Sequence, residues 1–228
     1  MGFPREQLAL CEGASIPDLI GEECTLLFVG INPGLQTAMT GIHFAHPSNR
    51  FWPALRRAGL IDFVPDLSPS TPAVPIDGER PGGAGEVPPA THSYPVVLRE
   101  DLGWGTATST GMSSAQRKRF TDSGMGITNL VHRATVRASH LDRSELREGA
   151  RRLERLVGEL TPVVIAVAGV TAYRLAFGRP MAGLGPQPRP LVESELWVVP
   201  NPSGLNAHET VESLAAWWRR VGDAAGLR

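Results

Sequence analysis

The sequence predicts an α/β fold: a three-layer α/β/α sandwich around a central, mostly parallel sheet. Three observations carry that expectation. Apolar runs of strand length recur at residues 25–30, 163–168 and 196–200, and continuous apolarity is the mark of strands buried on both faces. Each run leads into a Gly- or Pro-containing loop, and segments with helical 3–4 periodicity lie between them. Finally, 228 residues with 42% apolar content can bury both faces of one sheet, so residues 1–228 read as a single domain.

Taken in order, Thr25-Leu-Leu-Phe-Val-Gly30 is a buried strand feeding a tight loop, Gly30-Ile-Asn-Pro-Gly34. Residues 49–58 suit a helix capped by Ser48 or Asn49, with Phe51, Leu55 and Ala58 on one face. The character then changes. Residues 65–95 hold eight Pro and four Gly among Ser and Thr, which predicts a mobile surface insertion at about 64–120. Residues 96–123 are ambiguous, with 96–98 as one short strand. Order returns at Gly126-Ile-Thr-Asn-Leu-Val131, a second strand.

The clearest helix follows Asp142 and Ser144, with Leu146, Ala150, Leu153, Val157 and Leu160 at 3–4 spacing. Arg147, Arg151, Arg152 and Arg155 fall on its other side and read as a solvated face. Pro162 stops it. The run at 163–168 is the next strand, residues 170–177 a short helix, and 178–190 a Gly/Pro-rich connection to the strand at 196–200. A last helix, from about 209, carries Val211, Leu214, Ala215 and Trp218.

In parallel α/β sheets the ligand site lies beyond the carboxyl ends of the strands. The loops at 30–34 and 201–208 are placed there, and both are rich in Asn, Pro, Ser or Gly. By itself the first loop reads equally as a plain strand-to-helix turn. Neither GxGxxG nor GxxxxGK[ST] is present, which argues against a nucleotide cofactor.

Composition narrows the chemistry further. A net charge of −1 does not announce a nucleic-acid binder, so any DNA contact must be local. Of 22 basic residues only Lys118 is a lysine, in the polar run Gln116-Arg117-Lys118-Arg119, so a lysine Schiff base is disfavoured. Two cysteines, Cys11 and Cys24, cannot build a disulfide framework or a four-thiolate cluster. The six histidines are scattered, and His43 with His46 makes no convincing metal pair, so no metal or cofactor is expected. No membrane-length apolar run or signal peptide is visible, so a soluble, cytoplasmic monomer is expected, associated with the nucleoid if the chain is bacterial.

Four blocks carry a resemblance: Gly30-Ile-Asn-Pro-Gly-Leu35, Phe44-Ala-His-Pro-Ser-Asn-Arg-Phe-Trp52, Gly126-Ile-Thr-Asn-Leu-Val131 and Pro200-Asn-Pro-Ser-Gly-Leu205. In this order they resemble the mismatch-specific uracil/thymine DNA glycosylases of the uracil-DNA glycosylase superfamily. With the intervening helix the likeness spans residues 25–60 and 121–222.

The resemblance implies a monofunctional glycosylase of base excision repair. It would flip uracil from mismatched duplex DNA and hydrolyse the glycosidic bond. Thymine, hypoxanthine, xanthine or ethenocytosine are possible further substrates. Asn32 matches the family's catalytic Asn, which orients a water. Phe44 matches the aromatic that stacks on the base, with backbone groups of Ile31 and Phe44 reading its edge, and Asn129 falls in the same base-binding pocket. Leu205 matches the wedge that fills the vacated stack. Asn201, Ser203, Gly204 and Asn206 belong to the loop that holds phosphates and the orphaned partner base.

Two departures stand out. Asn206-Ala207-His208 replaces an Arg found after the wedge in some members, and Asn129 stands where others carry Lys. Arg50 and Arg133 are further candidates to face DNA, and Asp122 is a candidate to assist the water. Two alternatives remain at this point: a damaged-base-binding module without catalysis, and a small-molecule α/β hydrolase. The latter lacks a GxSxG elbow.

Overall fold

The structure is a computed structural model and describes residues 3–67 and 111–228. The apolar runs pair as their pattern requires. Strands β1 (Leu26–Gly30), β2 (Met125–Asn129), β3 (Val164–Ala168), β4 (Gly185–Pro186) and β5 (Glu195–Val199) form one sheet in the order β2-β1-β3-β5-β4. The first four in that order are parallel, and the two-residue β4 runs antiparallel to β5. The register sets Gly30 beside Asn129, Val29 beside Val167, and Ala168 beside Val199. The carboxyl ends of β2, β1, β3 and β5 therefore line one edge.

Every residue of β1, β2 and β3 is buried, because helices cover both faces. On one face Phe28 meets Phe51 of α3 (Phe51–Ala58) and Trp218 of α7 (Val211–Ala224), with ring centroids 5.1 and 5.3 Å away and edge-to-face. The opposite face sets Leu27, Val29, Ile165 and Val167 against Leu153 and Val157 of α5 (Arg143–Leu160) and Ala172 and Tyr173 of α6 (Val170–Phe177). This is the three-layer sandwich the sequence predicts.

Helix ends follow local chemistry. Asp142 and Glu145 form a reciprocal capping box at the start of α5, as do Thr210 and Ser213 at the start of α7. The α3 start differs slightly from expectation: its N-cap is Arg50, while the Asn49 Oδ1 accepts from the Phe51 N–H at 2.9 Å.

Three helices were not legible: α1 (Arg5–Ala9), α2 (Leu35–Thr40) and α4 (Ser114–Asp122). The last bears on the expected insertion at 64–120. Residues 68–110, including the strand expected at 96–98, lie outside the described residues. The two ends, however, are part of the packed domain. Asp66 N–H donates to Gly111 O at 2.7 Å, and α4 is capped by a Ser113–Gln116 box and anchored by the fully buried Phe120. A single buried side chain gives α4 almost no amphipathic signal. Among the described residues no helix is long and apolar enough to cross a membrane.

Candidate active site

The site is assembled from loops at the carboxyl edge of the sheet. After β1, the Asn32 side chain turns back toward the segment that follows β2. Its Nδ2 donates to Pro33 O at 3.1 Å, Arg133 O at 3.0 Å and Thr135 Oγ1 at 2.7 Å. Two of these acceptors are backbone carbonyls, which cannot donate, so the nitrogen end of the amide must lie there. Thr135 spends its own hydroxyl proton on Arg137 O at 2.8 Å, leaving a lone pair for Asn32. The carbonyl end, Oδ1, makes no hydrogen bond among the described residues and is the acceptor that the loop presents.

Beside it Asn129 and Phe44 converge on Gly30, and the place where these side chains meet is the recess considered below. A Cβ built on Gly30 would fall 2.3 Å from Asn129 Oδ1 and 3.3 Å from Phe44 Cζ, so only glycine lets these two side chains converge here. Phe44 has φ +58, a left-handed conformation that costs a bulky residue on the order of 1–3 kcal/mol. One face of its ring stacks on Phe51, with centroids 4.1 Å apart. The ring expected to stack on a base is half-buried and supported on one face by the core. The Ile31 carbonyl accepts from Val131 N–H at 2.9 Å, so an edge contact from Ile31 would come from its N–H.

His43 packs against the Asn129 amide. It is 2% exposed, its Nε2 lies 3.1 Å from Pro17 O, and its Nδ1 lies 3.3 Å from Asn129 Nδ2. Its backbone carbonyl accepts from Trp52 Nε1 at 2.7 Å. Burial pushes the imidazole down to about 4, so the ring is neutral at ordinary pH.

The 201–206 loop projects Leu205 into solvent, 90% exposed. Much of the loop's polar chemistry is spent on its own shape. Asn201 Oδ1 accepts from Ser203 N–H at 3.0 Å, Asn206 Nδ2 donates to Asn201 O at 3.0 Å, and Ser203 Oγ accepts from Leu205 N–H at 3.3 Å. Gly204 is required by close approach, since a Cβ there would sit 2.1 Å from Ser48 Oγ. At the end of β3, Gly169 (φ +102) separates Ile31 from Asn201, with its Cβ position 3.4 and 3.7 Å from them. The two nominated loops therefore share one edge and one glycine spacer.

Several expectations need correction. Arg50 does not face outward: its Nη1 donates to Ser203 O at 3.2 Å and Asn206 O at 3.1 Å, and its N–H to Pro202 O at 2.9 Å. Arg133 is paired with Glu145 at 2.9 Å. Arg152 leaves the solvated face expected for α5 and donates to the carbonyls of Asn129 and Leu130. Asp122 precedes β2, a strand's length from the site, and pairs with Lys118 at 2.6 Å. His46 Nδ1 is engaged by Ser48 Oγ at 2.8 Å.

Sequence reasoning missed Thr135, the His43–Asn129 contact and the Arg50 clamp. Each depends on a partner distant in the chain, so no local pattern marks it. A cavity of about 540 Å³ lies elsewhere, lined by Tyr173, Phe177, Arg179, Arg189 and Leu191. It holds none of the nominated residues, and its lining has no convergent group suited to hydrolysis.

Residues 17–222 match the family model described as the uracil DNA glycosylase superfamily. Among solved structures, the chain is similar to a solution NMR structure of a protein provisionally described as a uracil DNA glycosylase, from Methanosarcina acetivorans. That match has 15% identity, covers 92% of this chain and 98% of that one, and has a TM-score of 0.49.

Proposed function

Because the chain belongs to the uracil DNA glycosylase superfamily, we propose that it is a monofunctional glycosylase acting on uracil in mismatched duplex DNA, with Asn32 orienting the attacking water. The observation that carries this reading is the anchoring of Asn32. Three acceptors hold Nδ2, so Oδ1 is a fixed acceptor for one water proton. An amide cannot take up that proton near neutral pH. The rate must come from positioning the water and from stabilising a departing base anion beside an oxocarbenium-like sugar. Uracil leaves as a better anion than cytosine, which favours it as substrate.

A lyase route has no support. Lys118, the only lysine, is 74% exposed and ion-paired on α4, away from the recess. Phe44 gives the flipped base a stacking face, Asn129 meets its edge, and Leu205 fills the gap left in the duplex. Asn201, Ser203, Gly204 and Asn206 shape that loop, so they serve DNA through the backbone they hold as well as through side chains.

The test is base release from G·U, G·T and single-stranded uracil substrates, read as alkali-labile sites, for the wild type and Asn32→Ala. Release at G·U that falls on the order of 100-fold or more in the variant is expected. No release by the wild type, or equal release by both, would sink the proposal. Tight binding to an abasic duplex without any release would instead identify a binding module.

A further inference from the structure

We propose that His43 is a specificity-positioning residue. It holds the Asn129 amide so that Oδ1 faces the recess, which selects bases carrying a ring N–H at the edge they present there. This deepens the proposed function and rests on the recess being the base pocket.

Hydrogen-bond polarity fixes how these two side chains are oriented. Pro17 O can only accept, so the His43 nitrogen 3.1 Å away, Nε2, carries the ring proton. In a neutral imidazole the other nitrogen is then a bare lone pair. The Asn129 amide atom 3.3 Å from Nδ1 must be the NH2 group, because the carbonyl end would set lone pair against lone pair in a buried site. That choice leaves Oδ1 pointing the other way, to the point over Gly30 shared with the Phe44 ring edge.

Neither partner can readily turn. Asn129 is fixed by its register with Gly30 in the sheet and by Arg152 on its carbonyl. His43 is held by Pro17 at its ring and by Trp52 at its backbone. Lactam bases such as uracil, thymine and hypoxanthine offer a ring N–H to such an acceptor. Cytosine has a bare N3 where uracil has its ring N–H and offers only an amino group one position away, and its etheno adduct has no N–H on that edge at all. Two acceptors face to face, out of water, cost enough for a ten- to hundred-fold discrimination, roughly.

The experiment measures binding, so it does not depend on leaving-group chemistry. Duplexes carry hydrolysis-resistant 2′-fluoroarabino uridine or cytidine opposite an abasic analogue, which leaves neither base paired. The wild type is expected to favour the uridine duplex roughly ten- to hundred-fold. His43→Phe removes both ring nitrogens and should bring the ratio close to one. His43→Gln can donate to Pro17 O and accept from Asn129, and should restore the preference.

Nitrogen-15 spectroscopy of the wild-type ring needs no variant: a proton on Nε2 and none on Nδ1 is expected, and the opposite tautomer would overturn the proposal. A ratio unchanged in His43→Phe would also overturn it. A wild type that releases uracil yet binds both duplexes equally refutes the inference alone. One that binds neither and releases nothing refutes the function as well.

Discussion

Mild acid should weaken this fold through one side chain. His43 is 2% exposed, and burial lowers its pKa from the ordinary 6.5 to about 4. The Asp18 carboxylate and the Pro17 carbonyl oppose that shift, whereas Arg117 and His132 reinforce it. In the unfolded chain the imidazole takes up a proton near 6.5; in the folded protein it does so only near 4. Between those values the unfolded state holds more protons, so stability falls as the pH falls. The loss is complete near pH 4 and amounts to about 3 kcal/mol, a large share of the 5–15 kcal/mol typical of a domain. Asp18 contributes separately. Burial pushes its carboxyl up, but the polar neighbours His132, 3.3 Å away, and Thr128 outweigh this and hold it below the ordinary value. Its contribution is present above the ordinary carboxylate pKa and is lost as pH falls below it, beneath the histidine window. Urea unfolding followed by the buried Trp52 and Trp218, at steps from pH 7.5 to 4.5, measures the effect. The wild type should lose stability across that range much faster than His43→Gln. Parallel losses would refute the assignment of the window to His43.

Other expectations concern the site. Thr135→Val removes the shortest of the three Asn32 bonds, 2.7 Å, and should lower kcat roughly tenfold with KM little changed; a raised KM with intact kcat would show that Thr135 serves binding instead. Gly30→Ala places a methyl 2.3 Å from Asn129 Oδ1, so base release should be abolished while thermal stability drops by about 1–3 kcal/mol; near-normal turnover would mean that the recess is not the base pocket. Arg50→Met frees two carbonyls of the 201–206 loop, those of Ser203 and Asn206, and both it and Leu205→Ala should impair duplex substrates far more than flexible single strands. Equal impairment on both would contradict a wedge.

How much of this was legible in the sequence depended on distance along the chain. Strand β3 and helices α5 and α6 were read to within about a residue, because apolar runs, Asp142 and Gly169 mark them locally. Helix α4 was not, since one buried Phe120 cannot produce a periodic pattern. The nominated residues Asn32, Phe44, Asn129 and Leu205 came from short blocks and do gather at one edge. What holds Asn32, by contrast, lies 101 and 103 residues away, at Arg133 and Thr135. Likewise Arg50 reaches a loop 153 to 156 residues on, so it read as a free cation although it is structural. Histidine at 43 was weighed only as a metal ligand. Its tautomer, which gives it meaning here, is set by a carbonyl 26 residues earlier.

Leu205 stands in water at 90% exposure, on a loop already folded and clamped. Both facts are losses for the isolated protein. Ordering each loop residue sacrifices about 1–2 kcal/mol of chain entropy, and an exposed leucine forgoes roughly 2 kcal/mol of burial. Folding has met these costs before any DNA arrives. On the proposed reading, the free protein holds a reserve of unrealised contact energy, and docking into an unstacked step releases it without a new ordering penalty. Recognition would then draw on a debt incurred at synthesis, which suits a protein of net charge −1 that has little electrostatic attraction to spend.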